Sequence, residues 1–212
     1  MQTLNKKYLL PSLVLLSLIF ATLACGSTTS TPAPAAPAED TSAPAEPPAT
    51  EAPAAGPAGT TPENPAARTK TVTTASWEFS VVEVHRGAEA EAMLNEASAF
   101  NDPHPDPSME YVIVKIHAKY AGTDAEAHHI DGTFFQSMDS TGVLYDRVKI
   151  TDVDAPNPSM SSFDDLTAGG EVEGWVVIQV KKDDPGILLV ILPRDNGLAL
   201  GPETTRYISL AE

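Results

Sequence analysis

The apolar positions of this chain fall into short alternating runs, and the clearest lies at residues 110–120, EYVIVKIHAKY. Val112, Val114, Ile116, Ala118 and Tyr120 recur at period two, with Lys115, His117 and Lys119 between them. Successive side chains of a strand point to opposite faces, so this spacing predicts a strand with one buried and one polar face. A second run follows the turn Ala168-Gly169-Gly170. There Val172, Gly174, Val176, Ile178 and Val180 share a face, and Trp175 is expected on the outer one. Lys181-Lys182-Asp183-Asp184-Pro185-Gly186 stops that strand with charge and a Pro-Gly turn signal. Residues 187–192 are continuously apolar and too short, between Gly186 and Pro193, for a helix; they read as a strand forming a hairpin with the preceding one.

Weaker signals fill in the rest. Trp77, Phe79 and Val81 alternate with polar residues as a first strand, beginning a domain near Thr69. Residues 87–100, GAEAEAMLNEASAF, change period: Met93, Ala97 and Phe100 form a helical stripe, expected over one end of the domain and ended at Asn101-Asp102-Pro103. Residues 129–138 carry Phe134 and Phe135 in another strand. Asp139-Ser140-Thr141-Gly142 is turn chemistry before Val143-Leu144-Tyr145. Residues 149–165 read as a loop containing Pro156 and Pro158, and residues 204–210 as the closing strand. Seven or eight short strands in about 140 residues, with one short helix, predict an all-β fold, an immunoglobulin-like antiparallel β-sandwich over residues 69–212.

Upstream of that domain the pattern is different. Residues 1–24 have the three parts of an export signal: Lys6 and Lys7, a run from Leu9 to Ala21 that is apolar apart from Pro11, Ser12 and Ser17, and small residues before Cys25. A dozen or so apolar residues fall short of the roughly 20 a bilayer-spanning helix needs. Ala21-Thr22-Leu23-Ala24-Cys25 resembles a bacterial lipobox, in which the cysteine is lipidated; here Leu23 stands one position later than in the commoner pattern. Residues 26–68 are rich in Pro, Ala, Ser and Thr and hold no large apolar side chain, so they read as a disordered linker after the lipidated Cys25. A polyproline II bias would make that linker a stalk.

Composition narrows the classes of partner. The net charge is −16, and loss of Lys6 and Lys7 with the signal takes it to −18. Nucleic-acid affinity comes largely from neutralising phosphates with Lys and Arg, so nucleic acid is not an expected partner. Cys25 is the sole cysteine, which excludes an intrachain disulfide and a cysteine metal cluster.

The order Trp77-x-Phe79, Tyr111-Val-Ile-Val-Lys-Ile116, Phe135 with Asp139-Ser-Thr-Gly142 and Tyr145, then Leu166-x-x-Gly169 with Gly174-Trp-Val-Val-Ile-Gln-Val180, resembles a family of bacterial lipoproteins of unknown function. That family has an immunoglobulin-like sandwich and is related to mycobacterial immunoprotective extracellular antigens. The resemblance covers most of residues 70–210 and departs at residues 118–122, where the family's strand end is Asn-rich. It implies a fold and an anchored layout, and it supplies no catalytic residues.

Candidate chemistry is sparse. His128-His129 beside Asp131 have metal-ligating side chains, but neighbours on a strand diverge. His104, in Asp102-Pro-His-Pro-Asp106-Pro, and Asp152 with Asp154 are further candidate ligands; solvated loop residues are the plainer reading of all five. No G-x-S-x-G, H-E-x-x-H or P-loop pattern occurs. Trp175 is the candidate partner contact, an outer-face aromatic that either anchors an interface or lies under residues 149–165. The expectation is therefore a lipoprotein anchored in the cell membrane through Cys25 and facing outside the cytoplasm. It displays a binding or scaffolding domain toward an unknown envelope protein or small ligand, with no catalytic activity and no cofactor. The alternative is an extracytoplasmic protein binding a metal ion or small solute through its loops.

Overall fold

A computed structural model describes residues 56–149, 152–195 and 197–211. The export signal, Cys25 and the linker as far as residue 55 lie outside the described residues. The domain is mostly β, with antiparallel sheets and one helix. In chain order its elements are β1 (Val72–Thr73), β2 (Trp77–His85), α1 (Gly87–Ala97), β3 (Met109–Tyr120), β4 (Phe135–Met138), β5 (Glu171–Lys181), β6 (Leu188–Ile191), β7 (Arg194–Asp195), β8 (Leu198–Ala199) and β9 (Arg206–Ser209). A four-stranded sheet has the order β1-β2-β3-β5, a three-stranded sheet the order β4-β6-β9, and β7-β8 form a small ribbon.

The alternation in β3 has the predicted consequence. Val112, Val114, Ile116, Ala118 and Tyr120 are buried in the main core with Trp77, Phe79, Val176, Ile178 and Val180. The same core takes Phe135 from β4, Leu189 and Ile191 from β6, and Ile208 from β9, so both larger sheets contribute to it. Ser137 ties them further, its hydroxyl donating to the Gln179 carbonyl at 2.5 Å. In β2 the register slips by one residue between Val81 and Glu83. That bulge leaves Val82 45 % exposed and returns Val84, rather than Glu83, to the core face.

The four-stranded sheet is covered on its outer side as well. Ile113 and Trp175 pack with Ala90 and Leu94 of α1 and with Val153, and Tyr111 and Val177 border this second cluster. Burial on both faces explains why β3 and β5 contain continuous runs, Tyr111-Val-Ile-Val114 and Trp175-Val-Val-Ile178, within otherwise alternating strands. Two expectations about the helix are corrected here. The helix lies across the face of β3 and β5 rather than over one end. Its buried stripe is Ala90 and Leu94, it ends at Ala97, and Phe100 is 91 % exposed. Of the two readings of Trp175, the one that places it under residues 149–165 holds: it is only 7 % exposed, with Val153 of that loop and α1 against it, and it is not an open partner contact.

Two boundaries also differ from expectation. β5 pairs with β3, whereas β6 pairs with β4 and β9, so residues 171–191 are not a hairpin. The connection crosses between sheets through Asp183 at φ 62° and a turn in which Asp184 accepts the N–H groups of Ser140 and Gly186. The folded region also begins before Thr69. Ala66 is buried, its N–H donates to the Tyr207 carbonyl, and its own carbonyl accepts from Ser209. This segment completes the exposed edge of β9 with backbone hydrogen bonds, a role that needs no large apolar side chain.

The Asp139–Gly142 turn is held by one carboxylate. Asp139 accepts from the Thr141 hydroxyl at 2.7 Å, from the Val143 and Thr141 N–H groups at 2.9 Å each, and from the Tyr145 hydroxyl at 3.0 Å. The Thr141 hydroxyl first, and then the Val143 N–H, the Tyr145 hydroxyl and the Thr141 N–H against an opposing effect of burial, hold its pKa down to about 2 from 3.8. On acidification the unfolded chain therefore takes up this proton first. The contribution is fully present above about pH 4 and fades as pH falls toward 2. Asp139→Asn should lower stability at pH 7 by about 1–2 kcal/mol, with the deficit shrinking on titration from pH 4 to 2 in denaturant-unfolding midpoints. A deficit independent of pH over that window would show that the carboxylate charge contributes nothing.

Candidate functional site

Of the side chains singled out in the sequence, His128 and His129 both line a cavity of about 340 Å³, and His129 also borders a second one beside it. Asp154 lines a separate cavity of about 300 Å³ with Asn157 and three serines. His128 and His129 diverge, as adjacent residues in extended chain must. The backbone of His128 pairs with that of Leu166, while its ring stacks on Tyr120 at 4.2 Å and its Nε2 lies 2.7 Å from Asp124. Asp124 also accepts from the Tyr120 hydroxyl at 2.5 Å. That bond, and then the one to His128, hold the Asp124 carboxyl down to about 2; burial first, and then Asp124, push the Tyr120 phenol up to about 12. This trio is an internal clamp. His129 turns the other way, its Nδ1 2.8 Å from Asp165 and its Nε2 3.6 Å from Asp131.

The remaining candidates are dispersed. His104 Nε2 lies 2.8 Å from the Gln179 side-chain oxygen, its Nδ1 meets the Asp106 N–H at 3.1 Å, and its ring is 4.8 Å from Tyr111. The cavity beside it measures only about 90 Å³, too small for most ligands. Asp154 is fixed through its backbone, its N–H donating to Asn101 Oδ1 and its carbonyl accepting from Asn101 Nδ2. Asp152 lies close enough to Tyr111 to help burial raise the phenol's pKa. Among the described residues no group of three or more His, Cys, Asp and Glu side chains is arranged to hold a metal ion. His104, His128, His129, Asp152 and Asp154 are therefore not gathered into one ligand set.

Around His129 two cavities, of about 340 and 570 Å³, share His129, Asp131, Thr133, Arg194 and Gly197. Their walls come from three connections: residues 126–134 before β4, residues 147–165 between β4 and β5, and the start of the β7-β8 ribbon. The first cavity is acidic, with Glu126, Asp131, Asp165 and Asp195 against the single cation Arg194. The second is basic, with Arg147, Lys149 and Arg194 against the single carboxylate Asp131. Asp131 is itself engaged: its Oδ1 accepts from the Thr133 N–H at 2.8 Å and the Thr133 hydroxyl at 2.6 Å.

The arginines are held by backbone. Arg147 Nη1 donates to the Thr133 carbonyl at 3.1 Å; Arg194 donates to the Gly197 carbonyl from Nε at 3.0 Å and from Nη2. A guanidinium has five N–H donors, so both retain donors beyond these bonds. Among the described residues the Lys and Arg salt bridges belong to Arg86 and Lys115, and none reaches Arg147, Lys149 or Arg194. The sequence carried no motif for these three. Their only signal was a local excess of cations, Arg147-Val-Lys149 and Arg194, within loops of a strongly acidic chain.

No family model matches the chain, and no curated protein matches it significantly. Solved structures with similar backbones include a candidate lipoprotein (ycdA) of Bacillus subtilis, 14 % identical over 66 % of this chain, with a TM-score of 0.44. The chain spans 38 % of that protein's own length. The yjhA protein of Bacillus subtilis is 13 % identical over 68 % of this chain and 98 % of its own, with a TM-score of 0.43. A conserved hypothetical protein of Bacillus anthracis is 12 % identical over 58 % of this chain and 87 % of its own, at 0.39. Scores and identities at this level transfer no activity, ligand or location.

Proposed function

We propose that the protein is a lipoprotein anchored in the cell membrane through lipidated Cys25, facing outside the cytoplasm. It displays an immunoglobulin-like β-sandwich on a Pro/Ala-rich stalk for binding or scaffolding, without catalytic activity. The observation that carries this reading is the position of the sole cysteine. Cys25 stands where an export signal ends, in a lipobox-like stretch, directly before a low-complexity tract. Two acyl chains or more anchor a protein stably, whereas one gives marginal, reversible binding. The sandwich reading is supported by the common core to which Phe79, Val114 and Val176 of one sheet and Phe135, Leu189 and Ile208 of the other belong.

Metabolic labelling with an alkyne fatty acid tests the anchor. The full chain expressed in a bacterial host should take up label and sediment with membranes, and added protease should digest the domain once the outer barrier is opened. Cys25→Ala should lose the label and reduce the membrane-bound fraction by about tenfold or more. Equal labelling or equal sedimentation of Cys25→Ala would overturn the anchor, and protection from protease would overturn the location.

A further inference from the structure

We propose that the cleft around His129 and Arg194 binds a small zwitterion, such as an amino acid or a short peptide. The carboxylate would lie on the Arg147–Lys149 side and the ammonium on the Glu126–Asp165 side. Formal charge changes sign between two adjoining cavities that share Asp131 and Arg194: one adds the cations Arg147 and Lys149, the other the carboxylates Glu126, Asp165 and Asp195. A ligand of one sign would be favoured at one end and repelled at the other. A ligand with opposite charges at its two ends is complementary at both. The size agrees, because cavities of about 340 and 570 Å³ lie in the range that encloses small molecules and are too small for a folded partner.

The basic end has the preorganisation that carboxylate recognition needs. Arg147 and Arg194 are pinned by the carbonyls of Thr133 and Gly197, so their planar donor arrays are fixed before any ligand arrives. A guanidinium offers parallel donors to a carboxylate and is less strongly hydrated than an ammonium, which favours it at such a contact. At the acidic end Asp165 is steadied by His129 at 2.8 Å, leaving the second oxygen of its carboxylate as an acceptor. This inference does not rest on the lipid anchor, and the two can fail separately.

The test is calorimetric titration of the full chain in non-ionic detergent at low salt. The probes are glycine, glycine betaine, glutamate, dialanine, N-acetyl-dialanine and dialanine amide. Binding of at least one free zwitterion is expected. Blocking the amine or the carboxylate of the best dipeptide should weaken it about tenfold or more, since each removes a charge-assisted contact. Arg147→Gln with Arg194→Gln should abolish the preference for the free carboxylate, and Asp165→Asn the preference for the free amine. Lys149→Gln, on an exposed side chain, provides a variant whose fold is not in question and should weaken carboxylate-bearing probes alone. Absence of heat with every zwitterion, or equal affinity for the blocked and free dipeptides, overturns the proposal. So does unchanged affinity in all three variants.

Discussion

Trp175→Ala is expected to destabilise the domain by about 3–5 kcal/mol, the range for truncating a large buried aromatic. The indole is 7 % exposed and forms the middle of the second cluster, with Ile113 beside it and Ala90, Leu94 and Val153 above. Nothing else in that cluster is large enough to fill the volume it leaves. Two polar neighbours would lose their platform at the same time: the His85 ring, 5.6 Å from the indole, and Lys115, whose Nζ lies 5.6 Å from its centroid. The backbone is a separate matter, because the Trp175 N–H donates to the Pro158 carbonyl at 2.8 Å in any variant. The loss should therefore appear as a fall of about 10 °C or more in melting temperature, with residues around α1 and Val153 losing amide protection before the rest. Trp175→Phe should recover more than half of it. A melting temperature unchanged in Trp175→Ala would show that the side chain is dispensable for packing and restore the interface reading.

The burial of Trp175, one of the two outcomes its position left open, shows what periodicity conveys. Alternation in residues 110–120 and 171–181 specifies two faces, and both strands are where the pattern put them. It does not say what lies on the outer face. The clue was the interruption of alternation at Ile113 and at Trp175-Val-Val177, where apolar residues stand on the side that should be polar. The helix was legible as a helix but not in its orientation. A segment built largely of Ala and Glu offers little contrast between stripes, and Phe100, its largest apolar residue, lies beyond its end. Strand partners were not legible either, since two consecutive strands joined by Pro-Gly can pair or change sheets, and the Asp184 turn selects the latter.

The candidate site was legible only in part. His129 was visible as one of two adjacent histidines that had to diverge. Arg147, Lys149 and Arg194 were not, because they converge from connections 45 or more residues apart and none belongs to a recurrent motif. The domain start was missed for a related reason: residues 56–68 look like linker in composition, and their attachment to β9 runs through main-chain hydrogen bonds that composition does not record.

Gly174→Ala should be nearly as damaging as loss of Trp175, although it adds a single methyl group. Gly174 sits opposite Ile116 in the β3–β5 pair, at a position that would otherwise carry a side chain toward the core. The segment before β5 folds over that vacancy. A Cβ on Gly174 would stand 2.8 Å from Phe163 Cε2 and 2.9 Å from both the Cα and the N of Met160. Phe163 could turn aside. The Met160 backbone could not, since Met160 is fully buried and the neighbouring Pro158 carbonyl is bonded to Trp175. Overpacking against backbone costs about 1–3 kcal/mol or more, and here it would also push residues 158–163 away from the strand they bridge. Gly132→Ala is the control. Its Cβ would meet only Ser161 Oγ at 3.5 Å, an ordinary contact, and its stability should stay within about 0.5 kcal/mol of the parent. Urea midpoints read both. A Gly174→Ala midpoint equal to that of Gly132→Ala would mean that the 158–163 segment yields freely and takes no part in fixing the position of β5.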